Sequence, residues 1–96
     1  MFDLKVGTQA RKDFKKLKKS SSADFNITKE FVELLLVDGY KGIDTKYKAH
    51  KLIGNYKDCY ECHIKSDLLL IWQEYENGVN ILQIIRVGSH SELFKK

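Results

Sequence analysis

The string Arg86-Val87-Gly88-Ser89-His90-Ser91-Glu92-Leu93-Phe94, taken with His50, His63 and Asp67, holds the side chains of this sequence with the most chemistry to offer. His50, His63 and His90 are the only imidazoles, and Arg86 is one of two guanidinium groups, the other being Arg11. Imidazole moves protons near neutral pH, while a guanidinium presents a planar fork that fixes a phosphate in orientation. Three imidazoles, a guanidinium and a carboxylate are what a metal-free enzyme needs to handle a phosphodiester. Cleavage of RNA, whose own 2′-hydroxyl can act as nucleophile, is therefore the leading expectation.

Ninety-six residues are expected to form one domain, 1–96, with an economical core. Seventeen basic residues against 13 acidic give a formal charge of +4, and all the basic residues but Arg11 and Arg86 are lysines. Lysine spreads a diffuse field for a polyanion, which leaves Arg86 conspicuous. Two cysteines without a signal-peptide pattern point to reduced thiols and a cytoplasmic setting, and no run approaches the ~18 apolar residues of a membrane span.

These groups must be positioned by elements that hydropathy outlines. Phe2 to Val6 alternates like a short strand, and Thr8 to about Lys19 repeats Ala10, Phe14 and Leu17 at helical spacing amid six basic residues. Ser20-Ser21-Ser22 is a turn. Asp24 or Asn26 is expected to cap a second helix to about Asp38, with Ile27, Phe31, Leu34 and Leu35 buried and Gly39 as its stop. After a polar link over Lys41 to Lys48 the period becomes two, giving strands at about Ala49–Ile53, Cys59–Lys65, Leu68–Tyr75 and Val79–Val87. Gly54-Asn55, Ser66-Asp67 and Asn77-Gly78 suit antiparallel hairpins. The predicted order is β-α-α-β-β-β-β, an α+β domain with a mainly antiparallel sheet and a helical hairpin packed on one face.

Alternation over Cys59 to Lys65 puts Tyr60, Cys62 and Ile64 on one face and Cys59, Glu61, His63 and Lys65 on the other. Cys59-Tyr60-Glu61-Cys62-His63 also spells C-x-x-C-H, the haem attachment pattern. Covalent haem would require export, the string lies in a strand pattern, and the single Met is Met1, so the cytochrome reading is rejected. A zinc site fails because residues three apart on a strand face opposite ways, which leaves the cysteines as packing residues. No cofactor and no metal are expected. Lys15 and Lys16 in the basic helix, together with Lys51 and Lys65, are candidate contacts for a nucleic-acid backbone, and Phe94 for a base.

Three separated motifs carry a resemblance to a known family. Lys48-Ala49-His50-Lys51-Leu52, then Glu61 through Trp72, then Arg86 through Phe94 closely resemble the YafQ branch of the RelE/ParE toxin superfamily, over the whole chain and in the right order. The chain departs from that branch in having no proline, with Lys51 and Ser66 where one is common.

The resemblance implies a RelE-like fold and the toxin of a bacterial type II toxin-antitoxin pair. Such a protein is a ribosome-dependent endoribonuclease that cuts mRNA in the ribosomal A site. It further implies a cognate antitoxin whose acidic segment folds on the basic surface, and no membrane partner. His50, His63, Asp67, Arg86, His90 and Phe94 fall on positions that branch uses. The roles assigned are His50 or His63 as general base, His90 as general acid and Arg86 as phosphate clamp, with base and acid exchangeable among the three histidines. Asp67 orients a histidine or serves as auxiliary base, and Phe94 stacks on or wedges a base. A gyrase inhibitor-like binding module and a plain RNA-binding protein are the alternatives.

Overall fold

A computed structural model describes residues 1–76 and 78–94, with only the backbone of Asn55. The chain opens with β1 (Asp3–Val6), α1 (Thr8–Ser20) and α2 (Ser22–Asp38). Two 3-10 turns lead to β2 (His50–Lys51), followed by β3 (Tyr60–Lys65), β4 (Leu68–Tyr75), β5 (Ile81–Gly88) and the single-turn α3 (His90–Leu93). The five strands form one sheet in the order β1-β5-β4-β3-β2, antiparallel throughout except where β1 runs parallel to β5.

Both long helices cover one face. Ala10, Phe31, Val32 and Leu35 pack there against Cys62, Leu70, Trp72, Leu82 and Ile84. Trp72 is fully buried, and its indole N–H donates to Glu74 Oε2 at 2.8 Å. Burying side chains of this size contributes about 1.5–3 kcal/mol each before entropy is counted.

The second helix departs from expectation in its start and its buried stripe. Ser21 caps it, accepting the Asp24 N–H at 3.1 Å, while the Asp24 carboxylate is spent on Lys65. The helix therefore begins ahead of the proposed caps Asp24 and Asn26. Its buried positions are Thr28, Phe31, Val32 and Leu35; Ile27 is 42% exposed and Leu34 68% exposed. Thr28 can replace an apolar residue because its hydroxyl donates to Asp24 O at 2.8 Å. Gly39 does end the helix, at φ 65°, where an added Cβ would come within 2.8 Å of Glu74 Oε2 and Phe2.

The strand pattern holds with trimmed ends. β2 keeps two residues of the expected five, with Ile53 outside it and 91% exposed, and β5 starts at Ile81 rather than Val79. Asn77 of the proposed Asn77-Gly78 turn lies outside the described residues.

Two register shifts interrupt the ladders. Between β3 and β4 the pairing moves from His63–Leu69 to Lys65–Leu68, so Ile64 is extra; between β4 and β5 it moves from Ile71–Arg86 to Trp72–Ile84, so Ile85 is extra. Each extra residue reverses the in-out alternation beyond it.

Candidate active site

The face of the sheet away from α1 and α2 carries a second, smaller core of Cys59, Leu69, Ile71 and Leu93, flanked by Leu52, Tyr56 and Ile85. The polar residues gather around it. Glu61 and His63 point to this face from β3, with His50 paired to Glu61 on the neighbouring β2. Arg86 lies opposite Ile71 and shares its face because Ile85 bulges out; strict alternation from Ile84 would have turned Arg86 toward the helices.

The C-terminal residues are held over this face by a short capped turn. Ser89 Oγ accepts the Glu92 N–H at 3.3 Å and Glu92 Oε1 accepts the Ser89 N–H at 2.9 Å, a reciprocal capping box. Leu93 plugs the small core, and an added Cβ at Gly88 would meet Glu92 Oε1 at 2.8 Å and push that carboxylate out of the box. Asp67, in the turn between β3 and β4, accepts the His90 backbone N–H at 2.9 Å. It therefore fixes His90 through the main chain. From α1, the Lys16 ammonium reaches Glu92 at 2.6 Å and, with the Ser89 donors, holds the Glu92 carboxyl down at about 2, far below the ordinary range.

The result is a continuous chain of contacts. His50 donates from Nδ1 to Lys48 O at 2.9 Å and turns Nε2 to Glu61 Oε1 at 3.4 Å; His63 Nε2 lies 3.6 Å from that same oxygen. Glu61 is 4% exposed, and two imidazoles face its carboxylate where water would otherwise be. The ring centres of His63 and His90 are 5.9 Å apart, those of His90 and Phe94 5.5 Å, and Phe94 meets Tyr56 edge-on at 5.9 Å. Tyr56 OH receives Arg86 Nη1 at 3.4 Å, and Asp13 of α1 takes Nε at 2.7 Å and Nη2 at 3.2 Å. Asp13 raises the Arg86 pKa further above its already high ordinary value, so its charge is permanent.

The structure thus brings His50, His63, Asp67, Arg86, His90 and Phe94 to one surface. The lysines are more scattered. Lys65 follows the Ile64 bulge and pairs with Asp24 of α2 at 2.6 Å, which corrects its placement on the His63 face of the strand. Lys51 lies over the Tyr60 ring at 5.8 Å, Lys16 is engaged by Glu92, and Lys15 is exposed on α1. Beside His63 runs an open groove of about 610 Å³ edged by Lys46, Lys48, Lys65 and Ser66.

Cys59 and Cys62 are buried in the two different cores, one on each side of the sheet. Burial pushes both thiols up, Cys62 to about 12, so neither is a ready nucleophile or metal ligand.

Sequence reasoning passed over Glu61, Asp13, Tyr56 and the Ser89–Glu92 box. Three of them left a signal. Glu61 alternates onto the His63 face, Asp13 is the only acid in α1, and Ser-x-x-Glu is the capping pattern.

Comparison with known proteins places the chain in a family. Residues 2–95 match the family described as bacterial toxin of type II toxin-antitoxin system, YafQ. The chain is 28% identical over 92 residues to the mRNA interferase toxin YafQ of Escherichia coli K12, covering 96% of this chain and 84% of that protein. Among solved structures, a metal-bound toxin from Helicobacter pylori is 38% identical with TM-score 0.81, covering 98% of this chain and all of that one. The E. coli DinJ-YafQ toxin-antitoxin complex gives 29% identity and TM-score 0.81 over 97% of both chains. Among the described residues of the present chain no group of three or more His, Cys, Asp or Glu is arranged to hold a metal ion. A RelE-like sheet with this surface and a match across nearly its whole length make the chain a member of the YafQ family of bacterial type II toxin-antitoxin toxins.

Proposed function

We propose that the protein is an endoribonuclease of the mRNA interferase class, cutting mRNA presented in the ribosomal A site in the cytoplasm. The observation that carries this reading is the unbroken run of contacts from His50 through Glu61, His63, His90, Phe94 and Tyr56 to Arg86. It joins three imidazoles, an exposed aromatic ring and a permanent cation on one surface, the groups that this chemistry calls for.

In this mechanism His63 or His50, backed by the Glu61 carboxylate between them, takes the proton of the substrate 2′-hydroxyl. The 2′-oxygen attacks phosphorus while Arg86 stabilises the charge gathering on the non-bridging oxygens. His90 protonates the departing 5′ oxygen, Asp67 keeps His90 in place, and Phe94, 38% exposed, stacks on a neighbouring base. The products are a 2′,3′-cyclic phosphate, or the 3′-phosphate formed by its hydrolysis, and a 5′-hydroxyl. The groove beside His63, with Lys46, Lys48 and Lys65 at its edge, and Lys15, Lys16 and Lys51 farther out, supply diffuse attraction to flanking RNA. A cognate antitoxin restrains the activity through an acidic segment that folds across the basic surface, as charge complementarity favours.

Cleavage of mRNA on programmed ribosomes tests the reading. His90→Ala and Arg86→Ala should each lower the rate about a hundredfold or more while the fold persists, and a single 2′-deoxy substitution at the cut site should stop cleavage but spare binding. A 5′-phosphate product, or undiminished cutting of the deoxy substrate, would make water the nucleophile and remove the assigned roles.

A further inference from the structure

Asp13 reaches from α1 to the end of β5 at a place where the sheet loses a strand. β1 accompanies β5 only to Ile84, where Gly7 N–H donates to Ile84 O at 2.9 Å before the chain turns into α1. Beyond that point the edge of β5 would be open. Asp13 Oδ2 occupies it, accepting both the Val87 backbone N–H at 3.1 Å and Arg86 Nε at 2.7 Å, while Oδ1 takes Arg86 Nη2 at 3.2 Å. The Arg86 and Asp13 side chains are only 18% and 11% exposed. Because the carboxylate is also tied to a main-chain N–H, it sets the arginine rather than following it.

We propose that Asp13 is a positioning residue for the Arg86 clamp: it locks one edge of the guanidinium so that the remaining N–H groups face the phosphate. Of the five guanidinium N–H groups, two engage Asp13 and one engages Tyr56, which leaves two for substrate. An arginine on a flexible stem would have to find that orientation in each turnover, and misplacement by about an ångström can cost on the order of a hundredfold. This inference rests on Arg86 acting on the scissile phosphate. A carboxylate that instead competed with phosphate for the same fork would slow the unaltered protein, so its removal would speed cleavage.

The test compares Asp13→Asn, Asp13→Ala and Asp13→Glu with the unaltered protein in steady-state cleavage of ribosome-bound mRNA, together with thermal unfolding. Asp13→Asn keeps an oxygen for the Val87 N–H but loses the charge and the second acceptor. Its kcat should fall about tenfold or more, with KM within about threefold and little change in Tm, and Asp13→Glu should recover part of the loss. If Asp13→Ala does not fold, Asp13→Asn decides. Unchanged kcat in Asp13→Asn overturns the proposal, as does a loss confined to KM or tracking a lowered Tm. A faster Asp13→Asn overturns it in favour of the competing carboxylate. A folded, unaltered protein that cuts no translated mRNA instead defeats the endoribonuclease reading, and the clamp role with it.

Discussion

The two faces of this sheet are built from alternate residues of the same strands, yet they are organised by different physics. The helix-covered face is a broad apolar layer centred on Trp72, with Leu35, Leu82 and Ile84 fully buried beside it. The opposite face has four buried residues in its cluster, one of them Leu93 from α3, and spends the rest of its area on Glu61, His63, Arg86 and their neighbours. Stability concentrates on the first face and the proposed chemistry on the second, where polar side chains remain open to solvent. The comparison implies that the two properties can be damaged separately.

Trp72→Ala should show the largest effect, about 3–5 kcal/mol of lost stability, because it leaves a large hole in the layer that joins helices to sheet and takes one of two donors from Glu74, which keeps the Tyr40 N–H. Denaturant unfolding measures it. The fraction still folded should cut RNA at close to the normal rate, and a loss of activity per folded molecule would show that the faces are not separable. Leu93→Ala should act in the opposite sense. It releases a four-residue turn, so cleavage should fall about tenfold while the global transition moves less than for Trp72→Ala, read by pairing activity with hydrogen exchange at the Trp72 and Leu93 amides.

The smallest effect is acidic. The Glu92 carboxyl is held at about 2 in the folded protein, first by the Lys16 ammonium and then by the Ser89 backbone, against an ordinary value of 4.5. A lowered folded pKa contributes stability fully present above pH 4.5 and lost as pH falls toward 2. Protection of the Leu93 amide should fade over that window more than that of Trp72, and the excess should vanish in Glu92→Gln. Since Lys16 and Glu92 are both well exposed, added salt should shrink it too.

What the sequence revealed follows the same division. Period-two and helical repeats located every strand and both long helices, because the helix-covered face is governed by the burial that those repeats report. In the second helix Phe31 and Leu35 are buried as expected, while Ile27 and Leu34 give way to Val32 and to Thr28, whose hydroxyl is satisfied within the helix and so hides its fitness for the core. On the other face the residue types His50, His63, Arg86 and His90 were legible, but their geometry was not. Two single-residue bulges, at Ile64 and Ile85, decide which face Lys65 and Arg86 take, and nothing in the apolar spelling of Ile84-Ile85 marks an unpaired residue. The Asp13–Arg86 pair spans 73 positions in the chain, beyond the reach of any local pattern.

The pairing of β1 with β5 has a consequence for the order of events when the chain is made. The first strand waits for β5 to be synthesised, and parallel pairing between distant segments is slow to form. Asp13 emerges well before Arg86 and His90, so the candidate site is not assembled until β5 and α3 have been made. Synthesis halted ahead of β5 therefore leaves a chain without the proposed Arg86 clamp and without the strand that β1 needs beside it.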